Sequence, residues 1–165
     1  MISIVAMNKL KNIDGALRVV EALKTSNKKV VFTNGCFDII HAGHVEYLAK
    51  ARALGDFLVL GINSDKSVQS IKGPKRPIVS EEERVIVLSA LEMVDMVVLF
   101  DDEIPIKLIG LLRPDIHVKG GDYEKRNLPE YSTIKEYGGE VEIIEFREGC
   151  STTGLIEKVV EIYGN

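Results

Sequence analysis

Short runs of apolar residues alternate along this chain with longer stretches in which apolar residues recur every three or four positions. A continuous apolar run is typical of a strand that is buried on both faces, and the wider spacing is typical of a helix with one buried side. The runs predict five strands, at residues 30–32, 57–62, 94–100, 116–119 and 141–146. The spaced stretches predict six helices, at residues 16–24, 41–54, 80–91, 104–112, 131–137 and from residue 151 onward. This alternation predicts an α/β fold, a single doubly wound, Rossmann-like domain with a five-stranded parallel sheet.

Capping residues place the starts of three of these helices. Asp14 is the predicted N-cap of the first helix and Ser151 that of the last, while Ser80 and Glu83 form a capping-box pattern. Because the first helix precedes the first strand, we expect residues 1–27 to form a helical extension and residues 28–163 to form the core of one domain spanning residues 1–165.

A basic stretch separates the second predicted strand from the helix that begins near Ser80. Residues 67–77 are polar, and Gly73, Pro74 and Pro77 interrupt them. This composition predicts a mobile loop that closes over a substrate. The basic residues within 66–76 either receive a small phosphorylated ligand or are simply solvated.

The first strand leads through a glycine turn into a helix that begins with two histidines. His41 and His44 are three positions apart, so they share a face in the first turn of the helix. A helix start offers unpaired N–H groups and the positive end of the dipole, which can hold a phosphate group. Gly35 and Gly43 have no Cβ and would let phosphate oxygens approach the main chain. Two imidazoles beside a polyphosphate can stabilise charge that grows during substitution at phosphorus, so the stretch indicates nucleotidyl transfer.

Two other interpretations of the histidine pair remain open. The pair could belong to a zinc site, although Cys36, Cys150 and His117 show no ligand spacing that would complete one. The histidines could also be structural. The strand, turn and helix that surround them favour the phosphate interpretation.

Composition restricts the classes of function that the chain can have. Its 165 residues are enough for about one domain. The composition, with 45% hydrophobic and 28% charged residues, is typical of a globular protein. No apolar run approaches the ~20 residues that span a bilayer, and the opening MISIVAM lacks the basic region of a signal peptide, so we expect a cytoplasmic location without membrane contact. A net charge of −4 argues against nucleic-acid binding. The two cysteines, at positions 36 and 150, are predicted to be reduced thiols.

The histidine stretch also carries a family resemblance. TNGCFDIIHAGH, from Thr33 to His44, resembles the His-x-Gly-His element of the cytidylyltransferase-like nucleotidyltransferase superfamily. Later motifs appear in the order expected of the heptose 1-phosphate adenylyltransferases in this superfamily; they are Asn63-Ser64-Asp65, Lys72-Gly73, Arg76-Pro77, Glu83-Arg84, Lys119-Gly120-Gly121-Asp122-Tyr123 and Gly149-Cys150-Ser151-Thr152-Thr153. The resemblance implies transfer of AMP from ATP to a sugar 1-phosphate, such as D-glycero-β-D-manno-heptose 1-phosphate, with release of pyrophosphate.

The resemblance also implies roles for individual residues. His41 and His44 would be catalytic. The nucleotide would be bound by residues of the turn, of the fourth strand's end and of the last helix start, namely Thr33, Asn34, Gly35, Cys36, Phe37, Gly43, Asp122, Ser151, Thr152 and Thr153. The acceptor would be bound by Asp38, Lys72, Arg76 and Lys119. Asp38 could instead contact a metal or act as a structural cap.

The expected partners are ATP, the sugar phosphate, Mg²⁺ carried with ATP, and a second copy of the chain in a homodimer. Mg²⁺ bridges phosphate oxygens and keeps several waters, so no protein residue is assigned to it as a ligand. Two other functions remain open. One is a cytidylyltransferase that acts on glycerol 3-phosphate or a similar phosphate ester, and the other is a non-catalytic nucleotide-binding module that regulates a partner.

Overall fold

The computed structural model describes residues 8–147 and 149–164. Its five strands are β1 (Val30–Gly35), β2 (Phe57–Asn63), β3 (Met96–Phe100), β4 (Ile116–Gly120) and β5 (Glu140–Ile144). The α-helices within the described residues are α1 (Ile13–Thr25), α2 (Ala42–Arg52), α3 (Asp65–Lys72), α4 (Glu81–Ser89), α5 (Ile106–Leu112), α6 (Tyr131–Glu136) and α7 (Thr152–Tyr163). A short 3₁₀ helix covers Lys125–Asn127.

The strands form one parallel sheet in the order β3-β2-β1-β4-β5. The prediction of a doubly wound α/β fold with five parallel strands is therefore confirmed. The central strand β1 pairs with β2 on one side and β4 on the other, and Thr33 lies between Leu60 and Val118. The order of the strands reverses at β1 and β4, and ligands of such sheets bind where the carboxyl ends of these strands open a crevice.

Each face of the sheet is covered by its own helices. Residues of α2 and α4 pack on one face against Val31 and Val118, and residues of α1, α5 and α6 pack on the other against Phe32. Ala16 and Val20 bring α1 into this second core. Because side chains alternate along a strand, the side chains of His117 and Lys119 point to the opposite face from Val118.

Several helix starts follow the caps expected from sequence. The side chains of Ser80 and Ser151 accept hydrogen bonds from the N–H groups of Glu83 and Gly154, which confirms both caps. The prediction for the first helix was wrong: Asn12, not Asp14, is its N-cap and accepts a bond of 2.8 Å from Gly15 N. Asn12 directly precedes the helix and has the extended backbone that a cap requires, whereas Asp14 lies inside the first turn.

The prediction of an irregular loop over residues 67–77 was wrong for its first half, where α3 extends to Lys72. The side chain of Ser64 caps this helix by accepting from Ser67 N, and Val68 anchors it in the interior with no exposed surface. The hydroxyl of Ser67 also donates to the backbone oxygen of Asp102, so tertiary contacts hold this short, polar helix. The chain becomes irregular from Gly73 until α4 begins.

Candidate active site

The carboxyl end of β1 and the start of α2 bring the two histidines together. His41 is the N-cap of α2, and its side chain makes no capping bond with the helix. The rings of His41 and His44 stack with centroids 3.8 Å apart and an angle of 23° between their planes. The ring of Phe37 lies 5.2 Å from that of His44. The paired imidazoles therefore lie at the positive end of the helix dipole. The side chain of His41 does not bond to the first N–H groups of the helix.

Both histidines are neutral near pH 7. Burial, and then the neighbouring charge of His41, lowers the pKa of His44 to about 4. Burial also lowers the pKa of His41. The Nδ1 atoms of both rings are buried and have no hydrogen-bond partner among the described residues. The pair can thus offer N–H donors without presenting two repelling positive charges.

The turn before the histidines is fixed by Asp38. Its carboxylate, 1% exposed, accepts a bond of 2.5 Å from Arg76 Nε and further bonds from the peptide N–H groups of Ile78 and Val79. Burial alone would raise the pKa of Asp38, but the two peptide N–H groups and Arg76 outweigh burial and lower it. The structure therefore places this carboxylate on protein partners, where it ties the segment before α4 to the histidine turn.

Arg84 is a buried cation behind the same turn, and sequence reasoning gave it no role. Its guanidinium donates to the backbone oxygens of Cys36, Asn63 and Val79, and to the carboxylate of Asp65. Its side chain has no exposed surface. An arginine inside the apolar stripe of a predicted helix is the sequence signal that could have identified it, because a buried charge needs several partners.

Cationic side chains gather around Cys36. Burial raises the pKa of this thiol, and the charges of Lys72, Arg84 and Arg76 act in the opposite direction. Lys72 makes no ion pair within residues 8–147 and 149–164. Arg76 uses only Nε toward Asp38, so its terminal N–H groups remain for an end-on contact with an anion. Lys72 and Arg76 thus lie near the end of β1, as their proposed contact with the acceptor requires.

Several other residues predicted to bind the nucleotide also help to pack the turn. The hydroxyl of Thr33 is buried and lies 2.6 Å from that of Tyr47 on α2. A Cβ on Gly35 would lie 2.9 Å from Phe37, so this glycine makes room for the aromatic ring. Phe37 itself is buried and has a positive φ of 47°. Cys36 is half-buried.

The start of α7 lies against the start of α2. A Cβ on Gly43 would lie 3.0 Å from Cys150 Cβ and 3.1 Å from the His41 ring. The hydroxyl of Thr152 donates to the backbone oxygen of Ile39 at 3.4 Å. The structure therefore brings the Ser151-Thr152-Thr153 element to the histidine turn, as the family resemblance implied. Thr153 is exposed.

The end of β4 contributes the remaining predicted residues. Lys119 Nζ lies 2.9 Å from a carboxylate oxygen of Glu130 and 3.5 Å from the side-chain oxygen of Asn34. Asp122 is exposed and follows Gly121, whose φ of 125° is suited to glycine. Lys119, which was predicted to bind the acceptor, is therefore paired with Glu130, a partner that sequence reasoning did not identify.

The described residues contain no group of three or more His, Cys, Asp or Glu side chains arranged to hold a metal ion. The histidine pair is thus not joined by Cys36, Cys150 or His117 in a zinc cage within this part of the chain. Across residues 8–147 and 149–164, no helix combines the length and apolar character needed to cross a bilayer.

Comparison with protein families and curated proteins adds to this geometry. The model of the cytidylyltransferase-like family matches residues 32–158. "Bifunctional protein HldE" of Geobacter metallireducens is 50% identical over 156 residues, which are 94% of this chain and 32% of that protein. The protein of the same name from Hahella chejuensis is 53% identical over 136 residues, which are 82% of this chain and 28% of that protein. The chain thus spans about a third of the length of these curated relatives.

Two solved structures are also similar. The crystal structure of the lipopolysaccharide core biosynthesis protein from Thermoplasma volcanium has a TM-score of 0.61 and 30% identity, over 73% of this chain and 97% of that chain. Pantoate-beta-alanine ligase from Francisella tularensis, complexed with beta-gamma ATP and beta-alanine, has a TM-score of 0.57 over 95% of this chain and 78% of that chain. Its identity is 13%, so it shares the fold alone.

Proposed function

The chain belongs to the cytidylyltransferase-like family, and from that premise we propose that it transfers the adenylyl group of ATP to a sugar 1-phosphate. The proposed acceptor is D-glycero-β-D-manno-heptose 1-phosphate, and the products are an ADP-sugar and pyrophosphate. Identity of about half to the proteins named HldE supports this proposal. Similarity to a lipopolysaccharide core biosynthesis protein supports an acceptor from carbohydrate metabolism.

The observation that carries the proposal is the stacked, neutral pair His41 and His44 at the start of α2. A phosphate oxygen of the sugar attacks the α-phosphorus of ATP, and the bond from that phosphorus to the oxygen bridging to the β-phosphate breaks. The attacking oxygen is ionised at neutral pH, so no general base is required. The imidazole N–H groups and the helix dipole stabilise the charge that grows on the phosphate oxygens.

The other predicted residues would surround the two substrates. Asn34, Gly35, Cys36, Gly43, Asp122 and Thr153 would contact the nucleotide. Ser151 and Thr152 would hold the departing pyrophosphate, Thr152 once its hydroxyl turns away from the backbone oxygen of Ile39. Lys72 and the terminal N–H groups of Arg76 would bind the acceptor phosphate. We propose that Asp38 acts on the acceptor through Arg76, since its carboxylate is enclosed by protein donors.

Mg²⁺ would enter bound to the phosphates of ATP. Such an ion keeps several waters and takes its other ligands from phosphate oxygens, so we assign it no protein ligand. When bound, it would neutralise part of the polyphosphate charge. We also propose a homodimer, on the superfamily resemblance, and a cytoplasmic location, which free thiols at positions 36 and 150 support. Light scattering of the purified chain tests the dimer.

Pyrophosphate release with ATP or CTP and a panel of phosphate esters tests the proposed activity. We expect release with ATP and the heptose phosphate. Preference for CTP with glycerol 3-phosphate would instead identify a cytidylyltransferase. Nucleotide binding without pyrophosphate release from any pair of substrates would contradict an enzymatic function and favour a regulatory module.

A further inference from the structure

A cluster of polar side chains is buried on the face of the sheet opposite α2. His117 and Lys119 project from β4, and Glu130 immediately precedes α6. One carboxylate oxygen of Glu130 lies 3.1 Å from His117 Nε2 and 2.9 Å from Lys119 Nζ. The side chains of His117 and Glu130 are 0% and 1% exposed, whereas that of Lys119 is 25% exposed. The cluster therefore reaches from the interior to the surface only at the lysine.

Glu130 and Lys119 form an ion pair, and the neutral imidazole of His117 donates a hydrogen bond to the carboxylate of Glu130. Burial would raise the pKa of Glu130, but the bond from His117 and the charge of Lys119 lower it to about 2. Burial lowers the pKa of His117. A neutral imidazole can donate to the carboxylate only if Nε2 carries the proton, and Nδ1 has no partner in the described part of the chain. The net charge of the group is therefore close to zero.

The exposed end of the cluster lies at the crevice between the two strands where the sheet order reverses. Lys119 is next to the last residue of β4, and its ammonium is 3.5 Å from the side-chain oxygen of Asn34 near the end of β1. One N–H of the ammonium is directed to Glu130 and one to Asn34, which leaves one for a ligand. A hydroxyl group placed here can accept from Lys119 and donate to the side-chain oxygen of Asn34, whose amide N–H groups stay available to the nucleotide.

We propose that Glu130 is a positioning residue: with His117 it holds the Lys119 ammonium beside Asn34, and it cancels the lysine charge, so that this group binds uncharged sugar hydroxyls rather than phosphate. The proposal rests on the proposed function, because it assigns the sugar part of that acceptor to this end of the site. An anion that approaches Lys119 also meets the ionised carboxylate behind it, whereas a hydroxyl finds both a donor and an acceptor. Sites built from such polar pairs discriminate strongly against ligands that lack the hydroxyl.

Steady-state kinetics of Glu130→Gln, Lys119→Met and the double variant test the positioning role. We expect each single change to raise KM for the sugar phosphate about tenfold, the effect of losing one hydrogen bond to a charged group, and to leave KM for ATP within about twofold. Because Glu130 acts through Lys119, adding Glu130→Gln to Lys119→Met should change KM no further. Additive effects, or an equal rise in KM for ATP, would overturn the proposal. Glu136→Gln, an exposed change at the last residue of α6, is the matched control.

Binding of inorganic phosphate to the resting protein, followed by calorimetry, tests the charge argument without turnover. We expect the double variant Lys119→Met with Glu130→Gln, whose group is as neutral as that of the wild type, to bind phosphate as the wild type does. Glu130→Gln alone should bind it several-fold more tightly, because the lysine charge is then uncompensated. Loss of phosphate affinity in the double variant would identify a phosphate site and overturn the proposal. Should Glu130→Gln alone not fold, the double variant, which leaves no buried charge, still decides between these outcomes. Failure of the proposed function would appear separately, as absence of pyrophosphate release by the wild type.

Discussion

Replacing Asp38 with asparagine should destabilise the protein far more than an ordinary surface change does. The carboxylate is 1% exposed and its partner Arg76 is 17% exposed, so the ion pair is screened little by solvent. Removing one partner of a buried ion pair costs about 3–5 kcal/mol. Asparagine keeps one oxygen that can accept from the N–H of Ile78 or Val79, so we expect a loss near the lower end, about 3 kcal/mol.

Urea unfolding at pH 7 measures this loss. A change of about 3 kcal/mol corresponds to a shift of roughly 1–2 M in the midpoint, given ordinary urea slopes for a protein of this size. The matched control is Asp102→Asn, which removes an exposed ion pair with Lys107 whose members are 46% and 82% exposed; its effect should stay within about 0.5 kcal/mol.

The pH dependence gives a second test of the same residue. The pKa of Asp38 lies below its unfolded value in the folded protein. Its carboxylate therefore stabilises the fold above about pH 4, and this contribution disappears as the pH falls through the folded pKa. The difference between wild type and Asp38→Asn should shrink from pH 7 toward pH 3. Equal stability of Asp38→Asn and Asp102→Asn at pH 7 would refute the view that this carboxylate fixes the histidine turn.

Three further predictions concern the elements around the histidines. The folded pKa of His44, about 4, lies below its unfolded value, so stability should fall from pH 7 to pH 5 less in His44→Asn than in wild type; parallel unfolding curves would contradict this. If Ser151 and Thr152 hold pyrophosphate, the double change Ser151→Ala and Thr152→Val should lower kcat strongly, while the lost cap reduces the free energy of unfolding by only ~1 kcal/mol. Full activity of this double variant would identify a plain helix start. Gly43→Ala places a Cβ 3.1 Å from the His41 ring and should lower kcat, unlike Gly110→Ala, whose Cβ meets only an ordinary contact at 3.6 Å; equal activity of the two variants would contradict the fit at Gly43.

Much of the fold could be predicted because the strands are marked locally. Buried parallel strands need apolar residues at successive positions, and Phe57–Asn63 and Met96–Phe100 carry that signal within a few residues. The helix α3 could not be predicted from its own polar composition, because its order depends on the folded surroundings: Val68 is buried, and the hydroxyl of Ser67 donates to the backbone oxygen of Asp102, 35 positions away. Gly73 and Pro74 correctly marked where the helix α3 ends. Glycine and proline do not, however, show where such a helix begins.

The histidine turn could be proposed from sequence because strand, turn and helix are consecutive. The partners of its charged residues could not. Asp38 is bound by Arg76 and the segment after it, about 40 residues away, and the identity of an aspartate does not reveal whether its oxygens face a ligand or a peptide group. Lys119 and Glu130 are 11 positions apart, and only folding of the segment between them places the carboxylate on the lysine.

The most direct measurement of the proposed reaction is transfer of label from ATP labelled at the α-phosphate to heptose 1-phosphate, followed for wild type and His44→Ala. The wild type should form labelled ADP-sugar with one pyrophosphate released for each product. In His44→Ala, kcat should fall about 10²–10³-fold, because a preorganised donor to the transition state is lost, while KM for ATP changes much less. A wild type that leaves the label in ATP, or a variant with unchanged kcat, would contradict nucleotidyl transfer at this histidine pair.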